Sequence, residues 1–228
     1  MIRHVLFDCF GTLLDTGGGS IDAVKQILAG VGSNTDAEMF YARWKRIKKE
    51  MMRSPEFVCE KKLFELSLAK VFSEYGINAD AAEAVKPMTA SLFAERKAFP
   101  DVFPALRRLS ALELDIAIGS TTDTDSLMYY LKQNGLEFEY IFTSEGLRAY
   151  KPDGRFYAGI LERTGWDAGK CLFIGDSYDD DVFGPKAAGM KAVLLDRKGH
   201  SDSSSLVPAP DMIICSLNEL TEREIKAL

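Results

Sequence analysis

Val5-Leu6-Phe7-Asp8-Cys9-Phe10-Gly11-Thr12-Leu13-Leu14-Asp15 is an apolar run that ends in a carboxylate and passes at once into a Gly-Thr turn. A strand covered on both faces of a parallel sheet reads as a continuous apolar run, and ligands of open α/β sheets bind just beyond the carboxyl ends of such strands. Asp8 therefore stands where chemistry is expected. Asp at this kind of position is also an ordinary turn cap, and this segment alone leaves both readings open.

Further short apolar runs follow at residues 114–119, 140–143, 171–175, 192–195 and 212–215. Segments of helical period separate them at 102–112, 126–134, 155–164 and 181–188. Strands alternating with helices predict a doubly wound parallel sheet, an α/β fold. Residues 16–97 have a different texture, almost without strand signal. Helices are expected there over 21–29, 36–52, 56–75 and 80–96, with Pro87 kinking or dividing the last. This predicts an α/β core from residues 1–15 and 98–228, with an all-helical module of residues 16–97 inserted after the first strand. Gly17-Gly18-Gly19 lies at the first crossing between the two and reads as a hinge.

The chain has 228 residues, 46% of them hydrophobic, enough for one sizeable core and a smaller second one. A net charge of −6 without a basic run argues against duplex nucleic acid or an anionic membrane surface as partner. Cys9, Cys59, Cys171 and Cys215 lack C-x-x-C spacing, and Cys171 and Cys215 fall in apolar runs where free cysteine packs as a small hydrophobe. With no leader and no run of membrane-spanning length, the expected location is the cytoplasm. His4 and His200 are the only histidines, and neither is seated for a Ser-His or Cys-His pair. Catalysis must then rest on Asp, Lys, Ser or a metal.

Four segments place polar residues at strand ends. Asp8 with Gly11-Thr12 is the first, and Gly119-Ser120-Thr121-Thr122-Asp123, before a helix, is the second. Helix amino termini suit anions, although Ser, Thr and Asp there are also common N-caps. Tyr150-Lys151-Pro152-Asp153 is the third, with Lys151 able to neutralise anionic oxygens. The fourth, Gly175-Asp176-Ser177-Tyr178-Asp179-Asp180-Asp181, crowds carboxylates together. Like charges 4 Å apart repel by about 4 kcal/mol at an intermediate dielectric, so the cluster calls for a cation, and hard oxygen donors point to Mg²⁺.

In order and content these segments resemble the haloacid dehalogenase superfamily, which is mostly phosphohydrolases, and the resemblance spans nearly the whole chain. The family pattern is an Asp nucleophile followed by x-D-G-T, a strand ending in Ser or Thr, Lys-Pro, and Gly-Asp-Ser with a further acid. Asp8, Ser120, Lys151-Pro152, and Asp176 with Asp180 or Asp181 stand at those places. The helical insert is similar to the family's cap. The resemblance implies that Asp8 attacks phosphorus to form an aspartyl-phosphate, and that Mg²⁺ is held by Asp8, the backbone carbonyl of Phe10 and Asp176. It also implies that Ser120, Thr121 and Lys151 hold the transferring group, and that Asp180 and Asp181 support the metal from behind its ligands. The substrate so implied is a small phosphorylated metabolite, acted on by a monomer or a homodimer.

The pattern breaks at Phe10, where the family's phosphatases carry a second Asp as general acid and base. Loss of proton transfer is worth about 10² to 10⁴ in rate. The expectation is a Mg²⁺-dependent phosphohydrolase of modest activity that favours good leaving groups or takes an acid from the cap. A metal-independent 2-haloacid dehalogenase is the alternative, because its members have an aromatic residue near this position and expel halide without an acid. Phe40-Tyr41-Ala42-Arg43-Trp44-Lys45 is similar to theirs, with their cap Arg falling at Lys45, but their fourth motif lacks the Gly-Asp found at Gly175-Asp176. A phosphonoacetaldehyde hydrolase would share the run from Gly119 to Thr122 but needs a buried cap lysine. Lys45, Lys48 and Lys49 read instead as a solvated helix face. A weakly catalytic binding module would not require Asp8, Ser120, Lys151 and Asp176 as a set.

Overall fold

The structure is a computed structural model that describes residues 1–17, 19–92, 95–199 and 206–228. Its centre is β1 (His4–Phe7), flanked by β2 (Asp115–Ser120) and β4 (Cys171–Gly175) in a parallel sheet of order β3-β2-β1-β4-β5-β6. β3 is Tyr140–Thr143, β5 is Lys191–Leu195 and β6 is Met212–Ile214. Val5 and Phe7 join one apolar cluster and Leu6 another, so β1 is buried on both faces, which accounts for its uninterrupted apolar sequence. Helices α6 (Val102–Ser110) and α7 (Thr124–Asn134) cover the Val5 face, and α9 (Gly154–Thr164), which follows the single turn α8 (Ser144–Leu147), covers the Leu6 face.

Register decides where the polar loops emerge. Phe7 lies opposite Ile118 of β2 and Ile174 of β4, so Asp8, Ser120 and Asp176 leave the sheet at the same edge within a residue or two of one another. The strand order reverses on either side of β1, and that switch point is where open α/β sheets bind ligands.

Between β1 and β2 run α1 (Gly19–Gly30), α2 (Ala37–Met52), α3 (Glu60–Glu74), α4 (Ala81–Ala84) and α5 (Lys86–Ser91), which pack around a separate cluster containing Phe40, Trp44, Phe64 and Phe72. Inside it the Trp44 indole N–H donates to Ser67 Oγ at 2.7 Å, satisfying a buried donor. Three of the expected helices need correction. The helix expected over 56–75 begins only at Glu60, because its first free N–H groups are held by a core carboxylate, Asp123. The helix expected over 80–96 is α4 and α5, divided at Val85 with Pro87 in the first turn of α5. The helix expected over 181–188 is a π-helical turn, Tyr178–Phe183, followed by the single turn α10 (Gly184–Ala187). There Asp181 N donates to Ser177 O at 2.8 Å while the Ser177 N–H donates to the Asp181 carboxylate at 3.0 Å, which winds the turn back onto the strand end.

Cys215, expected to pack as a hydrophobe, is exposed just past β6, whereas Cys9 and Cys171 are buried; all four cysteines are free thiols. His4 stacks on Trp166 and pairs with Asp115, while His200 and Gly18, the middle of the expected hinge, lie outside the described residues. Among the described residues no helix is long and apolar enough to cross a membrane.

Phe40 is fully buried among the rings of Trp44, Phe72 and Tyr75. Phe40→Ala should cost about 3–5 kcal/mol, read as a lowered urea midpoint by circular dichroism. A change below about 1 kcal/mol would mean that the helical module does not depend on this cluster.

Candidate active site at the carboxyl edge of the sheet

Asp8 follows β1, and its N–H donates to Ile174 O of the neighbouring β4 at 2.8 Å, which fixes the backbone from which the carboxylate projects. Lys151 comes from the loop beyond β3. It is 4% exposed, and its ammonium donates to Asp8 Oδ1 at 2.8 Å and to Asp181 Oδ1 at 2.6 Å. Burial works against the charge on Lys151, but Asp181 and Asp8 outweigh it and hold the ammonium well above the ordinary lysine range. Asp181 is fully buried; burial is the largest influence on it and raises its carboxyl to about 7, against the pull of Lys151. The neighbouring backbone is as tight, since a Cβ on Gly175 would come within 2.2 Å of the Asp181 carboxyl carbon.

Asp176 completes the cluster. One carboxylate oxygen from each of Asp8, Asp176 and Asp181 lies within 4.8 Å of the others. Unlike the other two, Asp176 is exposed, at the open side of the cleft, and its hydrogen bond to another side chain is a long one, accepted from Thr12 Oγ1 at 3.4 Å. The surrounding protein, and then Asp8, push its carboxyl up to about 6. Gly11 makes this placement possible: its φ is +93°, and a Cβ there would fall 2.3 Å from Asp176 Oδ2.

Of the other residues expected at the site, Ser120 is 1% exposed and its Oγ is buried without a hydrogen-bond partner. Thr121 and Asp180 line a cavity of about 440 Å³ that also borders Lys151, and Asp180 stands outside the three-carboxylate group. Burial raises the Asp180 carboxyl, Lys151 and Lys49 oppose this, and its Oδ1 has no hydrogen-bond partner. Phe10 turns its ring to Tyr130 in an edge contact at 5.4 Å, with the Arg96 guanidinium 5.3 Å from its centroid.

The far wall of the cavity belongs to the helical module. Lys45, Lys48 and Lys49, expected to be a solvated helix face, line it together with Tyr41 and Met52. Sequence also gave no warning of the bonds that seat the module on the core. Asp123 accepts N–H bonds from Glu60 and Lys61 at 2.7 and 3.1 Å, Thr122 Oγ1 donates to Glu60 Oε2 at 2.8 Å, and Tyr150 donates from its hydroxyl to Val58 O at 2.9 Å. The one legible sign was that Thr122-Asp123 directly extends the Ser120-Thr121 strand end.

A family model described as haloacid dehalogenase-like hydrolase matches residues 2–189. The chain belongs to the haloacid dehalogenase-like hydrolases. It is 25% identical over 223 residues to (S)-2-haloacid dehalogenase 4A of Burkholderia cepacia, covering 96% of this chain and 93% of that one. To glyceraldehyde 3-phosphate phosphatase of Methanopyrus kandleri it is 26% identical over 211 residues, covering 89% and 87%. It is also 34% identical over 127 residues, 55% of its length, to haloacid dehalogenase-like hydrolase domain-containing protein 3 of Danio rerio, and spans about half of that protein (52%). Among solved structures, the HAD-hydrolase YfnB from Bacillus subtilis bound to magnesium superposes with a TM-score of 0.74 at 22% identity, covering 96% of each chain. These likenesses make this family member a hydrolase with the family's α/β fold.

Removing the ammonium would leave Asp8 and Asp181 as buried like charges. Lys151→Met should therefore destabilise this hydrolase by about 3–5 kcal/mol at pH 7.5. Because burial raises Asp181, protonation on going to pH 5 should narrow the gap from wild type. Urea titrations of both proteins at the two pH values check this, and a gap independent of pH would contradict it.

Proposed function

We propose that this hydrolase is a phosphohydrolase that uses Mg²⁺ and passes through an aspartyl-phosphate on Asp8, acting on a small phosphorylated metabolite. Asp176 carries the reading: it adds a third carboxylate beside Asp8 and Asp181, with a single ammonium among them, which leaves two negative charges in the cluster once all three carboxylates are ionised. Two negative charges offered by hard oxygen donors suit a small divalent cation. Asp8, the backbone carbonyl of Phe10 and Asp176 would hold it, with Asp180 and Asp181 behind them. Bound there, it would offset the negative charge of the phosphate that Asp8 must approach.

The remaining steps belong to the chain's own side chains. Lys151 takes up Asp8 Oδ1 and leaves Oδ2 without a hydrogen bond among the described residues, so Oδ2 is the oxygen to form the bond to phosphorus as the ester P–O bond breaks. Ser120 Oγ is free to donate to an oxygen of the transferring group, assisted by Thr121 and the Lys151 charge. The departing alkoxide takes a proton from solvent; water then attacks the phosphorus and gives a proton back to solvent, releasing inorganic phosphate as Asp8 leaves as a carboxylate. Residues 16–97 would act as the cap over a core made from 1–15 and 98–228. The phosphatase of Methanopyrus kandleri supports this chemistry.

Phe10 favours a second reading, in which Asp8 displaces halide from a 2-haloacid without metal, and the Burkholderia cepacia dehalogenase supports it. Assaying p-nitrophenyl phosphate and 2-chloropropionate in parallel, with and without EDTA, separates the two. Phosphate release that needs Mg²⁺ and disappears in Asp8→Asn is expected; chloride release that persists in EDTA, without phosphate release, would overturn the proposal. Phe10→Asp should raise turnover of alkyl phosphates, which need a proton on the leaving oxygen, by about 10²-fold or more. An unchanged rate would mean that proton delivery from residue 10 is not what limits this chain.

A further inference from the structure

Asp176 is exposed, and its bond from Thr12 Oγ1 is long, so its position depends on what it leans against. That is the turn after β1. The carboxylate lies so close to Gly11 that a Cβ there would fall 2.3 Å from Oδ2, and a shift of the turn is therefore a shift of the space Asp176 occupies. The turn is tightly wound. Leu13 N and Leu14 N donate to Cys9 O at 2.8 and 2.9 Å, Gly11 N donates to Leu14 O at 2.8 Å, and Phe99 N donates to Leu13 O at 3.0 Å. The carbonyl of Thr12, a fully buried residue, is held differently: it accepts from Nη2 of the Arg197 guanidinium at 2.7 Å.

Arg197 follows β5, and other loops fix it before it reaches Thr12. Asp101, just before α6, grips it end-on, accepting from Nη1 at 2.9 Å and from Nη2 at 3.1 Å. Asp101 is in turn held from beyond β6, where Ser216 Oγ and Leu217 N donate to it at 2.7 and 2.9 Å. The Phe99 ring lies 3.9 Å from the guanidinium carbon. An ion pair alone does not explain this orientation. A side-on fork from Nε and one Nη would satisfy both nitrogens, whereas the end-on fork leaves Nε buried without a partner among the described residues. An unpaired buried donor costs free energy, and what the end-on orientation secures in exchange is the bond from Nη2 to Thr12 O.

We infer that Arg197 is a positioning residue of the active site: aimed by Asp101, it fixes the Thr12 carbonyl, and through the Gly11-Thr12 turn it sets where Asp176 stands. This rests on the phosphohydrolase reading above, in which Asp176 would hold Mg²⁺. A bond from a guanidinium to a carbonyl is about twice as strong as one between neutral groups, which suits a contact that must hold a backbone turn still. Groups that orient metal ligands from behind change metal affinity by about 10- to 100-fold when they are removed. The loops after β1, β5 and β6 and the start of α6 thus meet at one turn, and the exposed carboxylate beside it gains from that turn the rigidity that its own bonds do not supply.

Calorimetric titration of the full chain with MgCl₂, beside urea midpoints of the same proteins, tests this without turnover. Arg197→Met strands the Asp101 carboxylate and should lower stability. The double variant Asp101→Asn, Arg197→Met removes that stranded charge while its amide oxygen can still accept from Ser216 and Leu217, so it should regain most of the lost stability. Mg²⁺ affinity should not follow: both variants should bind about tenfold more weakly than wild type, and both should need correspondingly more Mg²⁺ for half-maximal release of p-nitrophenol from its phosphate. Wild-type Mg²⁺ affinity in the double variant would make Arg197 a structural residue only, overturning this inference and leaving the phosphohydrolase reading standing. Mg²⁺ binding that is absent from the wild type, or unchanged by Asp176→Asn, would overturn the two together.

Discussion

One ammonium with a carboxylate on either side sets the geometry of this hydrolase. Lys151 reaches from the loop beyond β3 to Asp8 after β1 and Asp181 after β4, and so ties three loops that are far apart in sequence. Taking three charges out of water costs several kcal/mol for each, and their close contact offsets that cost only while all three are present. The consequence for chemistry is orientation. Asp8 spends one oxygen on Lys151 and presents the other, while Asp176 stands at the open side against Gly11, with a long bond from Thr12 holding it.

Phe10 has a use that an aspartate could not share. Its ring packs on Tyr130 and under the Arg96 guanidinium, and Arg96 donates to Thr16 O at 2.8 Å and to the Tyr130 hydroxyl at 3.1 Å. Leu14 bridges to Ala98, and Asp15 N donates to Lys97 O at 2.9 Å. Together these contacts pin the two crossings by which the chain leaves the core and returns. An aromatic at residue 10 thus helps fix the base of the helical module.

Strand positions were legible because a doubly buried strand has no freedom in composition: every residue of β1 from Val5 to Phe7, and of β4 from Cys171 to Ile174, meets an apolar neighbour. The acidic run after β4 was legible for the converse reason, since such crowding is costly without a cation. Local periodicity failed wherever a distant group took over. The start of α3 was set by Asp123, and the π-helical turn by the reach of Asp181 back to Lys151 and Ser177. The lysines of α2 read as a solvated face, and Lys45 and Lys49 are indeed exposed; that they also border a cavity was not legible, because a polar helical stripe looks the same in either setting.

The helical module and the core meet at the loop after β2. Ser120 Oγ is buried there without a hydrogen-bond partner and Thr121 borders the cavity, and the next two residues, Thr122 and Asp123, hold the amino end of α3. Glu60 at that end accepts from both Thr122 and Lys48, so the same carboxylate ties the cationic stripe of α2 to the strand end that carries Ser120. Burial raises the Asp123 carboxyl against the two N–H bonds it accepts, a sign that the junction is enclosed as well as polar. Any movement of the helical module that carried Lys48 away from the sheet would have to break the Glu60 bonds or drag the loop of Ser120 with it. The lysine stripe of α2 is therefore tied through Glu60 to the loop that runs from Ser120 to Asp123.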